Sequence, residues 1–412
     1  MNDSQSDVHA RYAKFAHANS QLDLTRGKPS AEQLALSDGL EGILGGDFTS
    51  QDGTDVRGYG GLDGLAEAKQ LGGWLLDTDP TRVLVGGNSS LALMHQILLF
   101  GMHLGFDGPE SAWKVKVGNP KFLCPVPGYD RHFAVCEQLG IDMLNVPMHA
   151  DGPDLDVVEA IIGDDPQVCG MWCVPKFSNP GGEVYSDAVI ERLARIVAAA
   201  PAHFRLIWDN AYAVHALDAN VPAQRNMSAE LSRLEAGDKI FEVASTSKIT
   251  FAGAGIAFLG ASKQNLSGFA EHLAISTIGP DKLNQLRHAK FFPTQASVLA
   301  HMAQHAAILR PKFDLVLDRL EKALGGRGLG TWTRPKGGYF VSFFTAPGQA
   351  ARVVELAAQA GVKLTPAGAA YPYGYDPDDA HIRLAPSFPT LDELDRAMDV
   401  FVTCVELAAT EV

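Results

Sequence analysis

Residues 240–248 read Ile-Phe-Glu-Val-Ala-Ser-Thr-Ser-Lys, an apolar strand pattern that ends in hydroxyl side chains and a lysine. Lysines are usually solvated, but apolar residues follow Lys248 here, namely Ile249, Phe251 and Ala252. We therefore expect its amine to be desolvated and its pKa to be lowered. Such an amine can form an imine with an aldehyde. The stretch predicts a buried strand that delivers a reactive lysine just beyond its carboxyl end.

Two other strand patterns end in polar motifs of complementary chemistry. Asp209 follows Trp208, and a carboxylate there is costly to bury unless a group such as a protonated ring nitrogen pairs with it. Asn179 and Tyr212 carry an amide and a phenol that can hydrogen-bond a phenolate oxygen, although Asn-Pro-Gly is also a common turn. Together with Lys248, these groups predict a site for pyridoxal 5'-phosphate.

The middle of the chain alternates between strand and helix patterns. Helical stretches such as 89–104 and 187–200 separate apolar runs that are short and uniformly hydrophobic. This alternation predicts an α/β fold, with a large domain in which a mostly parallel seven-stranded sheet lies between helices. The predicted strands are 82–87, 122–126, 141–146, 168–174, 204–208, 240–244 and 255–260.

A second, smaller α+β unit is predicted after this sheet. A helical pattern at 295–324 is interrupted by Pro311, and a Gly-rich stretch at 325–330 follows it. A strand at 338–344, a helix at 349–360 and a last helix from Leu391 complete the unit. We therefore predict an N-terminal segment, 1–45, that packs on the small domain, a large cofactor-binding domain, 46–300, and the small domain, 301–412.

Hydroxyl and amide side chains near two strand ends are candidates for holding a phosphate. Asn88, Ser89 and Ser90 follow the first strand and open a helix, where amides and the helix dipole favour anions. The same residues suit an ordinary helix cap. Ser245 and Ser247 precede the reactive lysine, and their alternative role is simple loop polarity.

Tyr129 and Arg383 add two further candidate contacts. Tyr129 lies in Pro-Gly-Tyr after the second strand and can stack on a pyridine ring, although a buried structural tyrosine is equally consistent with this position. Arg383 lies in an apolar strand pattern and can clamp a carboxylate in a bidentate manner. A structural salt bridge is the alternative for Arg383.

Composition places the 412-residue chain among ordinary globular enzymes, with 46% hydrophobic and 20% charged residues. A formal charge of −14 argues against a nucleic-acid partner. No apolar run approaches a membrane span and the first residues lack a signal pattern, so we expect a cytoplasmic protein without a membrane partner. The five cysteines have no zinc-site spacing, and we predict neither a metal nor a disulfide.

The order of these motifs resembles that of the class I/II aminotransferases of the fold type I pyridoxal-phosphate family, along almost the whole chain. Further matching stretches are Leu-Thr-Arg-Gly-Lys-Pro at 24–29, Gly-Tyr-Gly-Gly-Leu-Asp-Gly-Leu at 58–65 and Pro-Lys-Gly-Gly-Tyr-Phe at 335–340. The resemblance implies a homodimer with shared active sites, in which Tyr59 reaches the phosphate bound by the partner subunit.

The same resemblance implies a role for each matching residue. Lys248 matches the Schiff-base lysine, Asp209 the partner of the pyridine nitrogen, and Tyr129 the stacking aromatic ring. Asn179 and Tyr212 match the ligands of the ring oxygen. Gly27 in the N-terminal motif, Asn179 and Arg383 are expected to contact substrate, with Arg383 binding the α-carboxylate.

Two departures from the family pattern concern arginines. Ile256 stands where typical members bind the phosphate with an arginine, so phosphate binding must rely on Tyr59, Asn88 and the serines named above. Thr-Ile-Gly at 277–279 stands where Thr-Ile-Arg reads the side-chain carboxylate in familiar aspartate aminotransferases. The pattern is most similar to a divergent bacterial branch described as aspartate aminotransferase-like.

We therefore predict ping-pong transamination of aspartate or glutamate with 2-oxoglutarate or oxaloacetate. A distal carboxylate needs a second cation, because an uncompensated buried charge is costly. Arg131 is the first candidate for that cation, and Arg26, Arg57 and Lys282 are weaker ones. All four can equally form surface or interdomain salt bridges, and for Lys282 we favour such a salt bridge.

Two alternatives remain open at this point. An aromatic, kynurenine or alanine aminotransferase is one, because aromatic side chains can line an apolar substrate pocket; these are Tyr339, Phe340, Tyr371 and Tyr373. A non-catalytic effector-binding module is the other, since related domains occur in transcription regulators. The acidic chain reaches its N-terminal motif almost at once, which leaves no room for a helix-turn-helix and disfavours this alternative.

Overall fold

The structure is a computed structural model, and it describes residues 3–18, 21–218, 221 and 223–411. Its α-helices are α1 (Asp3–His17), α2 (Ala31–Ala35), α3 (Ala66–Leu76), α4 (Ser90–His103), α5 (Trp113–Lys116), α6 (Asp130–Leu139), α7 (Leu155–Asp164), α8 (Asp187–Ala199), α9 (Met227–Arg233), α10 (Lys263–Ser276), α11 (Lys282–Phe291), α12 (Gln295–Leu324), α13 (Ala350–Gln359) and α14 (Leu391–Ala408). Its strands are β1 (Leu22–Asp23), β2 (Val83–Val85), β3 (Lys121–Val126), β4 (Asp142–His149), β5 (Gly152–Pro153), β6 (Val168–Cys173), β7 (Arg205–Asp209), β8 (Ile240–Ser245), β9 (Ala257–Ala261), β10 (Thr331–Trp332), β11 (Val341–Phe344), β12 (Val362–Lys363) and β13 (His381–Leu384).

The largest sheet has the strand order β2-β9-β8-β7-β6-β3-β4-β5. The run from β8 to β4 is parallel throughout, and β9, β2 and β5 are antiparallel to their neighbours. All seven predicted strands are present, and the mostly parallel α/β sheet is confirmed. The count of seven was wrong by one, because the two-residue strand β5 has no apolar run that a sequence pattern can reveal.

Side chains of the central strands alternate between two buried cores, one on each face of the sheet. In β3, Phe122 belongs to one core and Leu123 to the other, and both are fully buried. In β7, Ile207 and Leu206 divide between the cores in the same way. Burial of both faces explains why these strands are uniformly apolar in sequence.

The C-terminal elements form a second cluster around the antiparallel sheet β10-β11-β13. Strand β1 pairs with β12, and Arg11 of α1 forms a 2.5 Å ion pair with Glu406 of α14. Residues that follow α2 contact a different helix, because Arg287 of α11 forms a 2.9 Å ion pair with Glu41. The first forty-five residues therefore contact both the C-terminal cluster and α11. The division into three domains stays a prediction.

Helix α12 continues through Pro311, so the predicted interruption was wrong. A proline removes one backbone donor from a helix, and packing on both sides can offset that loss. Val298 and Met302 pack in the core beneath β2 and β9, whereas Leu309 and Phe313 pack in the C-terminal core. The helix thus joins two hydrophobic cores across the proline.

Three remaining features concern cysteines, metals and membranes. All five cysteines are free and buried. Within the described ranges, no group of three or more His, Cys, Asp or Glu side chains is arranged to hold a metal ion. Nor does that part of the chain contain a helix with the length and hydropathy needed to cross a bilayer. The cytoplasmic location stays a prediction.

Candidate active site

The parallel strands β3, β6, β7 and β8 end at the same edge of the sheet, and a cavity of about 230 Å³ opens there. Ligands of open α/β sheets bind at this edge. The cavity is lined by Gly27, Tyr129, Asp130, Arg131, Val174, Asn179, Asp209, Ala211, Tyr212, Lys248, Phe340 and Arg383. Eight of these residues were predicted from sequence as site residues: Gly27, Tyr129, Arg131, Asn179, Asp209, Tyr212, Lys248 and Arg383.

Lys248 lies in the turn that follows β8, and its side chain enters the cavity. Thr246 shapes this turn, because its Oγ1 accepts a hydrogen bond from the backbone amide of Ile256 at 2.9 Å. Desolvation lowers the pKa of the Lys248 amine, against a smaller opposing effect of the Asp209 charge. Its Nζ lies 4.8 Å from the centre of the Tyr212 ring. The expected desolvated amine is therefore present.

Asp209 ends β7 and is only 2% exposed. Its Oδ2 lies 3.1 Å from His132 Nε2, whereas its Oδ1 is buried without a hydrogen-bond partner among the described residues. A buried carboxylate oxygen left in this state is costly unless a ligand donates to it. The unpartnered Oδ1 therefore fits a protonated pyridine nitrogen.

His132 is a site residue that the sequence analysis missed. Its ring stacks on Trp172 at 4.2 Å and 6° between planes, which holds the imidazole in place beside Asp209. The sequence did contain a signal for His132. A buried Asp209 needs a polar partner, and His132 lies three residues after Tyr129, at the start of α6, where it can face the same cavity. Residues three apart lie on the same side of a helix.

Arg383 lines the cavity and makes long hydrogen bonds with its neighbours. Its guanidinium lies 3.3 Å from Asp130 Oδ1, 3.4 Å from Asn179 Oδ1 and 3.3 Å from Thr365 Oγ1. Its Nε is buried and has no partner among the described residues. These long contacts and the free donor fit an arginine that binds a substrate carboxylate.

Tyr129, Tyr212 and Asn179 complete the predicted cofactor contacts inside the cavity. Burial raises the pKa of Tyr129 to about 12 and raises the pKa of Tyr212 well above its ordinary value. Both phenols therefore remain protonated donors at neutral pH. Asn179 is buried, and its Oδ1 faces Arg383.

The predicted phosphate ligands do not line this cavity. Ser89 caps α4 by accepting a hydrogen bond from the Ala92 amide, as its alternative role predicted. Asn88 and Ser247 lie together, since Ser247 Oγ donates to the Asn88 carbonyl at 3.2 Å. Ser90 begins α4, and Ser245 ends β8. These residues therefore flank the lysine turn, and their role toward a phosphate stays a prediction.

Arg131 differs from the three other cations considered for a distal carboxylate. It lines the cavity, and its side chain has no ion pair among the described residues. Arg26 pairs with Asp23 at 2.8 Å. Arg57 pairs with Asp55 at 2.6 Å. Lys282 is buried and donates to the Gly60 carbonyl at 2.8 Å, so the surface salt bridge favoured for it was wrong.

Two segments that depart from the family pattern have defined environments. Ile256 is 2% exposed in an apolar core. A Cβ on Gly279 would lie 2.7 Å from the Gly60 carbonyl oxygen, which leaves no room for a side chain without movement of the backbone. Tyr59 lies outside the cavity and is 96% exposed. At both Ile256 and Gly279, an arginine side chain would therefore require neighbouring atoms to move.

Comparison with known proteins agrees with this geometry. The Aspartate amino-transferase family profile matches residues 1–412. An aspartate aminotransferase of Corynebacterium glutamicum is 45% identical over 406 residues, which cover 98% of this chain and 93% of that protein. The solved structure of an aspartate transaminase of Corynebacterium glutamicum superposes with a TM-score of 0.94 at 44% identity, covering 100% of this chain and 98% of that chain. A kynurenine aminotransferase of Pyrococcus horikoshii has a TM-score of 0.78 at 15% identity, with 96% and 93% of the two chains covered, which shows a shared fold alone.

Replacement of Gly27 by alanine should weaken substrate binding. A Cβ at this position would overlap the Phe340 ring, and the Arg383 guanidinium lies 4.8 Å from the centre of that ring. Overpacking of this kind costs roughly 1–3 kcal/mol, so we expect KM to rise about tenfold with a smaller change in kcat. Steady-state kinetics would measure both constants.

The matched control is Gly163→Ala on α7, where an added Cβ meets no atom within 4 Å. This variant should keep the KM of the unmodified enzyme. An unchanged KM in Gly27→Ala would contradict the predicted contribution of Gly27 to substrate binding.

Proposed function

Because the chain belongs to the aspartate aminotransferase family and has the type I fold of its relatives, we propose that this aminotransferase uses pyridoxal phosphate to interconvert dicarboxylic amino acids and oxo acids. The proposed reaction is ping-pong transfer from aspartate or glutamate to 2-oxoglutarate or oxaloacetate. One observation carries the proposal. The desolvated Lys248 amine shares a cavity with a carboxylate oxygen of Asp209 and a donor of Arg383 that both have no hydrogen-bond partner in the part of the chain that the structure describes.

The cofactor proposal follows from the donors and acceptors of the cavity. When bound, pyridoxal phosphate supplies an aldehyde that condenses with amines and a ring that accepts the electron pair of the substrate Cα. Lys248 would hold the aldehyde carbon, and Asp209 Oδ1 would accept the hydrogen bond of the ring nitrogen. Tyr212 and Asn179 would donate to the ring oxygen, and Tyr129 would cover one face of the ring.

The chain's own groups account for binding and for proton movement. Arg383 binds the α-carboxylate of the amino acid through its free Nε and its weakly held nitrogens. The Lys248 amine takes the proton from Cα, and desolvation lowers the pKa of this amine, which favours its neutral form. His132 holds the Asp209 carboxylate in a fixed orientation, which keeps its charge directed at the cavity.

A dicarboxylic substrate is favoured by the two cations of the cavity. Arg383 accounts for one carboxylate, and Arg131 is available for the other. Of the four aromatic residues considered for an apolar substrate, Phe340 lines the cavity, and Tyr339, Tyr371 and Tyr373 do not. Arg131 is exposed, so its preference for a carboxylate over an apolar side chain is modest.

A homodimer is proposed from the exposed surface around Tyr59. Its phenol is 96% exposed, and Ile275 and Ile278 are 90% and 64% exposed. Gly279 contacts Gly60, so the loop that contains Ile278 lies beside the loop that contains Tyr59. Large exposed apolar side chains that lie close together mark interaction surfaces. In this arrangement Tyr59 would serve the phosphate held by the partner subunit.

The first test is an absorbance spectrum of the purified protein with pyridoxal phosphate. A visible band should disappear with aspartate and return with 2-oxoglutarate, because the cofactor shuttles between its aldehyde and amine forms. Lys248→Ala should retain bound cofactor and lose turnover, since the covalent amine and the proton carrier are both removed.

Full activity in Lys248→Ala would end the proposed mechanism. A band that ignores aspartate but responds to an aromatic amino acid would retain the aminotransferase and exclude the proposed substrate. No band after addition of the cofactor would exclude the proposed cofactor site.

Arg131→Met should reduce activity selectively with dicarboxylic amino acids. Because Arg131 is exposed, loss of its pairing with a distal carboxylate costs roughly 0.2–1 kcal/mol, so kcat/KM for aspartate should fall up to about fivefold, while that for alanine should change little. Arg26→Met is the matched control, because Arg26 pairs with Asp23 outside the cavity. An equal loss for aspartate and alanine would show that Arg131 does not read the side chain.

Mixing two variants of low activity tests the shared sites. Lys248→Ala subunits and Tyr59→Ala subunits should each be weakly active alone, because each lacks one group of every site. After subunit exchange, hybrid dimers contain one intact site, and about a quarter of all sites should recover in an equal mixture. No recovery, despite exchange shown by mass spectrometry, would contradict the assignment of Tyr59 to the partner's site.

A further inference from the structure

The peptide that carries Lys248 is held from outside the cavity by hydrogen bonds to two consecutive carbonyls. Tyr339 Oη and His215 Nε2 both donate to the Lys248 carbonyl, each at 3.2 Å. His305 Nε2 donates to the next carbonyl, that of Ile249, at 2.9 Å. All three donors are buried, and none lines the cavity. The backbone behind the lysine is therefore anchored independently of any ligand.

One buried amide, that of Gln33, orients two of these donors. Its Nε2 lies 3.0 Å from Tyr339 Oη and 3.0 Å from His305 Nδ1. An amide nitrogen has two hydrogens, so it can donate to both at once. Tyr339 then keeps its own hydrogen for the Lys248 carbonyl, and His305 keeps its hydrogen on Nε2 for Ile249. One side chain thus sets the direction of both chains of hydrogen bonds.

The orientation of the Gln33 amide is itself determined. The residue is fully buried, and its Oε1 accepts from the Ser30 amide at 3.1 Å in the capping box of α2. This bond directs the NH2 group toward Tyr339 and His305. Burial lowers the pKa of His305 to about 4, so its ring is neutral at physiological pH and Nδ1 can accept.

The rings of the two donors on the Lys248 carbonyl also contact Tyr212. Tyr212 lies 5.6 Å from the His215 ring, nearly perpendicular to it, and 5.9 Å from the Tyr339 ring. The same side chains that hold the lysine backbone therefore support a residue that lines the cavity. Reacting groups must be held within a fraction of an ångström of their productive geometry.

We propose that Gln33, Tyr339 and His305 are positioning residues that hold the Lys248 amine in its reactive orientation, with His215 as the second donor to the Lys248 carbonyl. The inference rests on the proposed role of Lys248. Gln33 lies in α2, His305 in α12 and Tyr339 just before β11. Side chains from three separate segments of the chain therefore support the turn that carries Lys248. None of these residues touches the cofactor space.

Tyr339→Phe tests the proposal directly, because it removes one hydroxyl and keeps the ring that packs on Tyr212. We expect kcat to fall about tenfold with KM within about twofold, since geometry and not affinity is disturbed. The visible circular dichroism per bound cofactor should also fall in the holoenzyme. Free pyridoxal phosphate is achiral, so this signal reports how firmly the protein orients it.

The matched control is Tyr12→Phe. Tyr12 Oη donates to the Leu356 carbonyl at 3.1 Å in the C-terminal cluster, so the same substitution removes an equivalent bond remote from the cavity. This variant should keep the kcat and the visible circular dichroism of the unmodified enzyme, even if its thermal stability falls as much as that of Tyr339→Phe.

Gln33→Glu is the second variant, and it keeps the shape of the side chain while removing both donated hydrogens. We expect losses at least as large as those of Tyr339→Phe, because Tyr339 and His305 both lose the hydrogen bond that orients them. His215 still donates to the Lys248 carbonyl, and His301 still lies 2.8 Å from the Ile249 carbonyl. The double variant Gln33→Glu/Tyr339→Phe should be no worse than Gln33→Glu alone, since both changes act on one chain of bonds.

Unaltered kcat and circular dichroism in both Tyr339→Phe and Gln33→Glu would overturn the proposal, as would equal losses in Tyr12→Phe. Fully additive losses in the double variant would overturn the shared chain of bonds. The spectrum of the unmodified enzyme tests the proposed function, whereas the circular dichroism differences between variants require no substrate. Failure of the substrate assignment and failure of this inference are therefore distinguishable.

Discussion

Parallel pairing of β3, β6, β7 and β8 is the constraint on which the site depends. Four strands that run in one direction bring their carboxyl ends to one edge, and these ends and the segments that follow them place Tyr129, Asn179, Asp209, Tyr212 and Lys248 around one cavity. No pair of these groups is adjacent in sequence. Their proximity exists only because the two apolar cores hold the strands in register, so the hydrophobic effect indirectly supplies the geometry for catalysis.

Burial and hydrogen bonding then determine the chemical properties of the groups in the cavity. Burial lowers the pKa of Lys248, which favours its neutral amine, and raises the pKa of Tyr129 to about 12, which keeps its phenol a hydrogen-bond donor at neutral pH. Asp209 is stabilised on one oxygen by His132 and left open on the other. The free oxygen of Asp209 can accept a hydrogen bond from a ligand. In an ordinary buried ion pair, by contrast, both carboxylate oxygens are satisfied by protein groups.

The sequence alone was sufficient for the sheet and for the residues at strand ends, because apolar runs and polar punctuation are local signals. Predicted residues at strand ends line the cavity for this reason, whereas Gly27 was predicted from the family resemblance and Arg131 from its position beside Tyr129. It was insufficient for His132 and Gln33, whose importance comes from partners 77 and 306 residues away in the chain, Asp209 and Tyr339. Hydrogen bonds over such separations leave no periodic pattern. The continuity of α12 through Pro311 was missed because two separate cores stabilise it, and neither core is visible in a single helix.

The surroundings of Ile256 explain why an arginine would be poorly accommodated at this position. Its side chain contributes to the apolar core beneath β2 and β9, and its amide completes the turn through Thr246. A guanidinium introduced there by one codon change would first have to be accommodated among hydrocarbon neighbours. An arginine at this position would therefore cost folding stability, and stronger phosphate binding would have to come from residues in the surrounding loops.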